Sequence, residues 1–196
     1  MDLGAFLSGF TFIDLLLILF FMGFFVLGFA QGTIRRLIGL ASVLFSFLFA
    51  ASLSEALGGF LGANWTQFAR EYSYMIGFGT IFVAAAIAFA LVAQGFYKPQ
   101  PLFEKSRFVD EILGGILGLI QFGLILLSVV VILDSFFTLR GIAPDPQEMP
   151  ALRELWNALD SSNIVDFFRS SVIPGFLSLF DLFIPDRLIV LYPGRA

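Results

Sequence analysis

The chain has 196 residues, of which 59% are hydrophobic and only 13% charged, and its mean hydropathy is +0.95. A soluble domain is about 45–50% apolar and about 25% charged, so this composition all but excludes a soluble enzyme. The net charge of −4 provides no basic patch for nucleic acid. The absence of Cys and His removes disulfides, thiolate catalysis, the usual zinc sites and His-ligated haem.

The charges fall between long uncharged runs. A helix crossing ~30 Å of hydrocarbon needs ~20 apolar residues. Residues 15–34 hold 20 uncharged positions between Asp14 and Arg35, and residues 37–54 hold 18 between Arg36 and Glu55. Residues 72–97 hold 26 between Glu71 and Lys98, and residues 112–133 hold 22 between Glu111 and Asp134. These runs predict four transmembrane helices, at about 14–33, 37–54, 73–97 and 112–136. Asp2, the lack of an early Lys or Arg and the lack of a cleavage site argue that the first is not a signal peptide. Gly58, Gly59, Gly62 and Asn64 are expected to make the end of the second helix irregular.

Orientation follows Lys and Arg near the helix ends. Arg35 and Arg36 lie in the first connection, and Lys98, Lys105 and Arg107 in the third. Arg70, Arg140 and Arg153 fall on the other side. Connections one and three are therefore expected in the cytoplasm, with both termini extracytoplasmic.

Residues 1–138 read as the four-span domain and residues 139–196 as an extracytoplasmic tail. After Phe137 the chain carries 12 of its 26 charges and six of its eight prolines. Pro144, Pro146 and Pro150 mark a loop, and Pro150 suits the first position of a short helix. Leu152, Leu155, Trp156 and Leu159 form one apolar stripe. Ser161, Ser162 and Asn163 offer N-caps. Ile164, Val165, Phe167, Phe168 and Val172 make a second face, with Asp166 and Arg169 expected off it. The run 176–184 is too short to span. These pieces suit amphipathic helices at the membrane interface or packed under the bundle, with a small soluble cap as the alternative.

Gly28 and Gly32 at the end of helix one, and Gly114 and Gly118 at the start of helix four, have the spacing that lets two backbones approach in lipid. Those two helices are expected to cross there. Asp14 and Asp134 stand at the same side of the membrane and are expected to face one another, to share a site or simply to cap their helices. Gln121 is the strongly polar side chain deep in helix four, and Gln94 lies near the inner end of helix three. Either suits a hydrogen bond between helices. Arg35 and Arg36 read as topology anchors and as partners for anionic head groups. No nucleophile elbow, phosphate loop or metal-ligand spacing occurs, so no enzyme and no cofactor are expected. No charged residue lies near the centre of a span, which argues against an ion-coupled transporter.

Three stretches resemble the colicin V production protein (CvpA) family of bacterial inner-membrane proteins. The first is Ile13-Asp14-Leu15 with Gly28 and Gln31-Gly32-Thr33-Ile34-Arg35. The second runs from Asp110 through Leu113-Gly114 and Gly118 to Leu133-Asp134. The third is Ser170-Ser171-Val172-Ile173-Pro174. Gln31 departs from the family's Arg, Arg36 stands where an acid is usual, and Glu111 stands where Arg is usual. The opposite signs of the last two changes predict that Arg36 pairs with Asp110 or Glu111.

The resemblance implies a small multi-pass protein tied to colicin V production or export and envelope homeostasis, with no established enzymatic activity. In some relatives the module precedes an extracytoplasmic serine protease domain, which agrees with an outside C-terminus. The combined expectation is an all-α integral membrane four-helix bundle with C-terminal interfacial helices, acting as an inner-membrane accessory or scaffold protein. Its partners are the lipid bilayer and either further copies of itself or other inner-membrane proteins. The alternative is an oligomeric small-solute channel or transporter.

Overall fold

The computed structural model describes residues 10–96, 107–138 and 148–192, with side chains of 94–96 excepted. Within them every regular element is helical. Four long helices dominate: α1 (Phe12–Gln31), α2 (Thr33–Asn64), α3 (Arg70–Phe96) and α4 (Arg107–Phe137). All four are long and apolar enough to cross a membrane. Gln94, Pro144, Pro146, Arg140, Lys98 and Lys105 have side chains outside the described residues.

The second span is much longer than the uncharged run 37–54. Its 32 residues give about 48 Å of helix at ~1.5 Å per residue, so Arg35, Arg36 and Glu55 lie within it rather than beyond it. Charges limit how much of a helix can sit in hydrocarbon, but they do not end the helix. The expected irregularity near Gly58 is also absent, since α2 continues through Gly58, Gly59 and Gly62 to Asn64. Gly58 instead lies against Tyr74, and Gly77 packs on Gly58, so these glycines let α2 and α3 approach closely.

Only Gly32 separates α1 from α2. Its φ of 75° and ψ of 175° place it in backbone space that other residues rarely adopt. The two helices splay from this point, and α1 packs mainly on α4 while α2 packs on α3 and α4. Phe122 of α4 sits among Phe20, Phe21 and Phe24 of α1, at centroid separations of 5.7, 5.2 and 4.6 Å for Phe20, Phe24 and Phe21. Many other α1 side chains, among them Phe12, Leu19, Met22 and Val26, are exposed on the outer surface. In a membrane that surface meets acyl chains rather than water.

The tail folds back over the end of the bundle formed by the start of α1 and the end of α4. It contains α5 (Pro150–Asp160), α6 (Asn163–Phe167), a π turn (Phe168–Val172), α7 (Ile173–Leu179), a 3-10 turn (Asp181–Phe183) and α8 (Asp186–Ile189). Pro150 occupies the first turn of α5, and the Ser162 hydroxyl caps α6 by accepting from the Val165 N–H at 3.2 Å. Leu159, Val165, Phe168, Ile173, Leu177 and Leu188 are buried in one core continuous with Phe47, Phe78 and Phe136 of the bundle. Phe176 meets Phe47 edge-on at 5.5 Å.

The tail therefore packs on the bundle. Its outer edge keeps Phe167, Leu179, Leu182, Phe183 and Val190 exposed, an apolar rim suited to the membrane interface. Leu155, placed in the expected stripe of α5, points outward.

Candidate functional site

Two polar clusters occupy opposite ends of the bundle. At the tail end, Asp14 is fully buried. It closes a capping box with Thr11: the Thr11 N–H donates to Oδ2 at 2.9 Å, and the Asp14 N–H donates to Thr11 Oγ1 at 3.2 Å. The same carboxylate accepts from the Ser162 hydroxyl at 2.6 Å, Asn163 Nδ2 at 3.0 Å and the Ile164 N–H at 3.1 Å. One side chain thus caps α1 and α6 together and ties the tail to the first span.

Asp134, also fully buried, does the same for the fourth span. Arg169 grips it as a two-pronged fork, Nε to Oδ2 at 2.8 Å and Nη2 to Oδ1 at 2.7 Å. The Trp156 indole N–H donates to Oδ1 at 2.8 Å and the Tyr192 hydroxyl to Oδ2 at 2.7 Å. Arg169 also reaches Asp160 and lies 5.8 Å from the centroid of the Trp156 ring. Asp14 and Asp134 therefore take separate donor sets and do not share a site. Both act as anchors for the tail.

Arg169, expected off the apolar face, lies on its inner side. It is four residues after the buried Val165 and so shares that face. The pattern of apolar residues alone cannot show that a buried acid awaits it on another element.

Burial alone would lower the Arg169 pKa, but the bond and charge of Asp134, with Asp160, outweigh it and hold the guanidinium above its ordinary range. Burial, reinforced by Asp134, pushes the Tyr192 hydroxyl well above its ordinary 10.0. A raised folded-state pKa contributes stability that is complete below pH 10.0 and declines as pH rises beyond it. Tail docking, followed by protease accessibility, is therefore expected to weaken in alkali above about pH 10. Tyr192→Phe is expected to flatten that dependence and to cost about 1–2 kcal/mol at neutral pH.

At the other end, hereafter the loop end, Gly28 in the last turn of α1 and Gly32 after it meet Gly114 and Gly118. A Cβ on Gly28 would strike the Gly114 carbonyl oxygen, and one on Gly118 would strike the Phe24 carbonyl oxygen. Backbone thus touches backbone along the α1–α4 crossing. Asp110 is buried and caps α2 from another helix: the Thr33 N–H faces its Oδ1 at 3.4 Å, and the Thr33 hydroxyl donates to its backbone oxygen at 2.9 Å.

The expected pairing of Arg36 with Asp110 or Glu111 is not what forms. Glu111 bonds Arg107 on its own helix at 2.8 Å. Asp110 serves the start of α2. Arg36 turns the other way, donating from Nη1 to Gln121 Oε1 at 2.8 Å. Its guanidinium lies 5.5 Å from the Phe24 ring centroid.

Only 6% of Arg36 is exposed, and its buried Nε has no hydrogen-bond partner among the described residues. Among the described residues no carboxylate forms an ion pair with it. Arg36 borders a cavity of about 460 Å³. Gln31, Arg35, Ser42 and Gln121 form its polar wall, and Ile38, Val43, Ala86, Ala90 and Ala93 its apolar one. Gln121 was legible as a polar residue in a span, but not as the partner of Arg36, which lies 85 positions away.

The colicin V production protein family model matches residues 13–172. The chain belongs to this family. Both anchoring carboxylates, the glycine crossing and the Arg36 cavity fall within the matched residues, whereas Tyr192 lies beyond them. No curated protein and no solved structure matches the chain. Four span-length helices together with the family make it a multi-pass membrane protein.

Proposed function

We propose that this member of the colicin V production family is a non-catalytic accessory or scaffold protein of the bacterial inner membrane. It serves toxin production, export or envelope homeostasis, with both termini extracytoplasmic. The observation that carries this reading is the buried apolar core of the bundle on the tail side. Phe47, Phe78, Val131, Val130, Met75 and Phe136 are at most 1% exposed there. The polar cavity extends inward as far as Val43 and Gln121, and Phe47 lies one turn further along α2. A core closed by these buried apolar side chains, with an apolar cavity of about 610 Å³ beside Met75, Ile132 and Leu152 rather than a polar path, supports a protein that acts by binding other components rather than by conducting a solute.

The cavity itself favours a second reading, an oligomeric small-solute channel or transporter whose pathway opens in another arrangement of the helices. Purification in native lipid with mass analysis separates the two readings. Assembly with other envelope proteins or further copies is expected, and a monomer with nothing bound sinks the scaffold reading. Solute flux in vesicles holding only this protein would establish the second one. Labelling of a C-terminal tag from outside intact cells is the expected result for orientation, and protection there refutes it.

A further inference from the structure

We propose that the loop-end cavity beside Arg36 is a binding site for a phosphate group, carried by an anionic phospholipid or by a small phosphorylated solute. The argument starts from an uncompensated charge. A cation drawn into a membrane protein costs several kcal/mol unless paired or wet, and Arg36 is almost wholly buried without an acid partner among the described residues. Gln121, the group it reaches, lies 14 residues after Arg107, which is about 21 Å along α4. The Gln121 oxygen satisfies one guanidinium hydrogen but supplies no negative charge. Nε remains without a partner among the described residues.

The two described acids at the start of α4 that the charge pattern pairs with Arg36 are committed elsewhere, Asp110 to the start of α2 and Glu111 to Arg107. Arg35 adds a second positive charge to the cavity wall. A guanidinium with donors left over is matched to the paired oxygens of a phosphate.

The rest of the lining points to the same ligand. Ala86, Ala90 and Ala93 recur along α3 at spacings of four and three, so one face of that helix leaves a shallow apolar channel. The same cavity is lined by Arg35, Arg36, Gln31 and Ser42 from α1 and α2. A lining that combines cationic and polar groups with apolar ones suits a phosphate attached to an organic body. A volume of about 460 Å³ accommodates a head group or a small phosphate ester.

The test is a titration of the purified full-length protein in neutral detergent, read by thermal stabilisation and native mass spectrometry. The probes are short-chain phosphatidylglycerol, inorganic phosphate and diacylglycerol with the same acyl chains. The expected result is saturable binding of phosphatidylglycerol or of phosphate, with diacylglycerol inert. The first outcome assigns a lipid, the second a free phosphate. Arg36→Gln is expected to weaken binding about tenfold or more.

Two further variants protect against a folding artefact. Ala90→Phe fills the cavity and keeps every polar group, and is expected to abolish binding. Arg70→Gln makes the same charge change at the opposite end and is expected to bind normally. Equal binding of diacylglycerol, no binding of either phosphate probe, or unaltered affinity in Arg36→Gln would each overturn the proposal.

Discussion

Replacing Asp134 with alanine is expected to release the tail from the bundle and to lower stability by about 3–5 kcal/mol, the range for breaking one side of a buried ion pair. The carboxylate is fully buried and accepts four hydrogen bonds, two from Arg169 and one each from Trp156 and Tyr192. Its removal strands the Arg169 guanidinium, only 17% of whose side chain is exposed, with Asp160 as its remaining partner. Asp134→Asn keeps the shape and loses the charge, so a smaller loss is expected. Arg169→Leu leaves Asp134 with two neutral donors and is expected to fall between them.

The Asp134→Ala/Arg169→Leu double variant is expected to be less damaged than the sum of the two changes, because neither charge is then left alone. Thermal unfolding in detergent, with protease cleavage in residues 148–192 as a second readout, measures the series. Additive losses, or a tail that stays protected in Asp134→Ala, would show that apolar packing alone holds it.

The second large effect is expected at the glycine crossing. Leucine at Gly28 or Gly118 would drive a side chain into the backbone of the facing helix, at the Gly114 and Phe24 carbonyls respectively. Overpacking of this kind costs about 1–3 kcal/mol where side chains can shift, and the upper end is expected because backbone cannot. Gly23 provides the control. A Cβ there meets nothing within 4 Å, so Gly23→Ala is expected to be neutral or to gain up to about 1 kcal/mol of helix propensity.

The chain has no native cysteine, so cross-linking of cysteines placed at Phe21 and Phe122 by a short bifunctional thiol reagent reports the α1–α4 contact directly. The two ring centroids lie 4.6 Å apart in the parent protein. Gly28→Leu is expected to reduce that cross-link and Gly23→Ala to leave it unchanged. The opposite pattern would refute a backbone-to-backbone crossing.

The four spans were readable because hydrocarbon imposes a length and a polarity on any helix that crosses it, and both are linear properties of the chain. The same rule misjudged where α2 ends. Arg36 and Glu55 bound its apolar run but not its hydrogen bonding, and the helix continues beyond both. Pro150 and Ser162 were readable as helix-start signals for a similar reason, since a cap acts within three or four residues of itself.

Arg169 shows where that reasoning stops. Its apolar neighbours mark a buried face, yet nothing local says that a guanidinium on that face will find Asp134, 35 residues earlier. Arg36 makes the same point at the other end, since the charge pattern suggested Asp110 or Glu111 and the fold supplied Gln121.

By itself the sequence determined that this chain is a membrane protein with four spans, that its charges gather at the span ends and after the last one, and that glycines stand where the first helix ends and the fourth begins. These are consequences of composition and of spacing along one dimension. The tertiary structure alone decided the partners: Asp14 and Asp134 as separate anchors for one tail, Asp110 as a cap for another helix, and Arg36 beside a cavity and bonded to Gln121, with no acid paired to it among the described residues. The physical reason is that a buried charge is stabilised by whatever lies within ~3 Å of it, and the groups that come so close are set by how helices cross, not by their order in the chain.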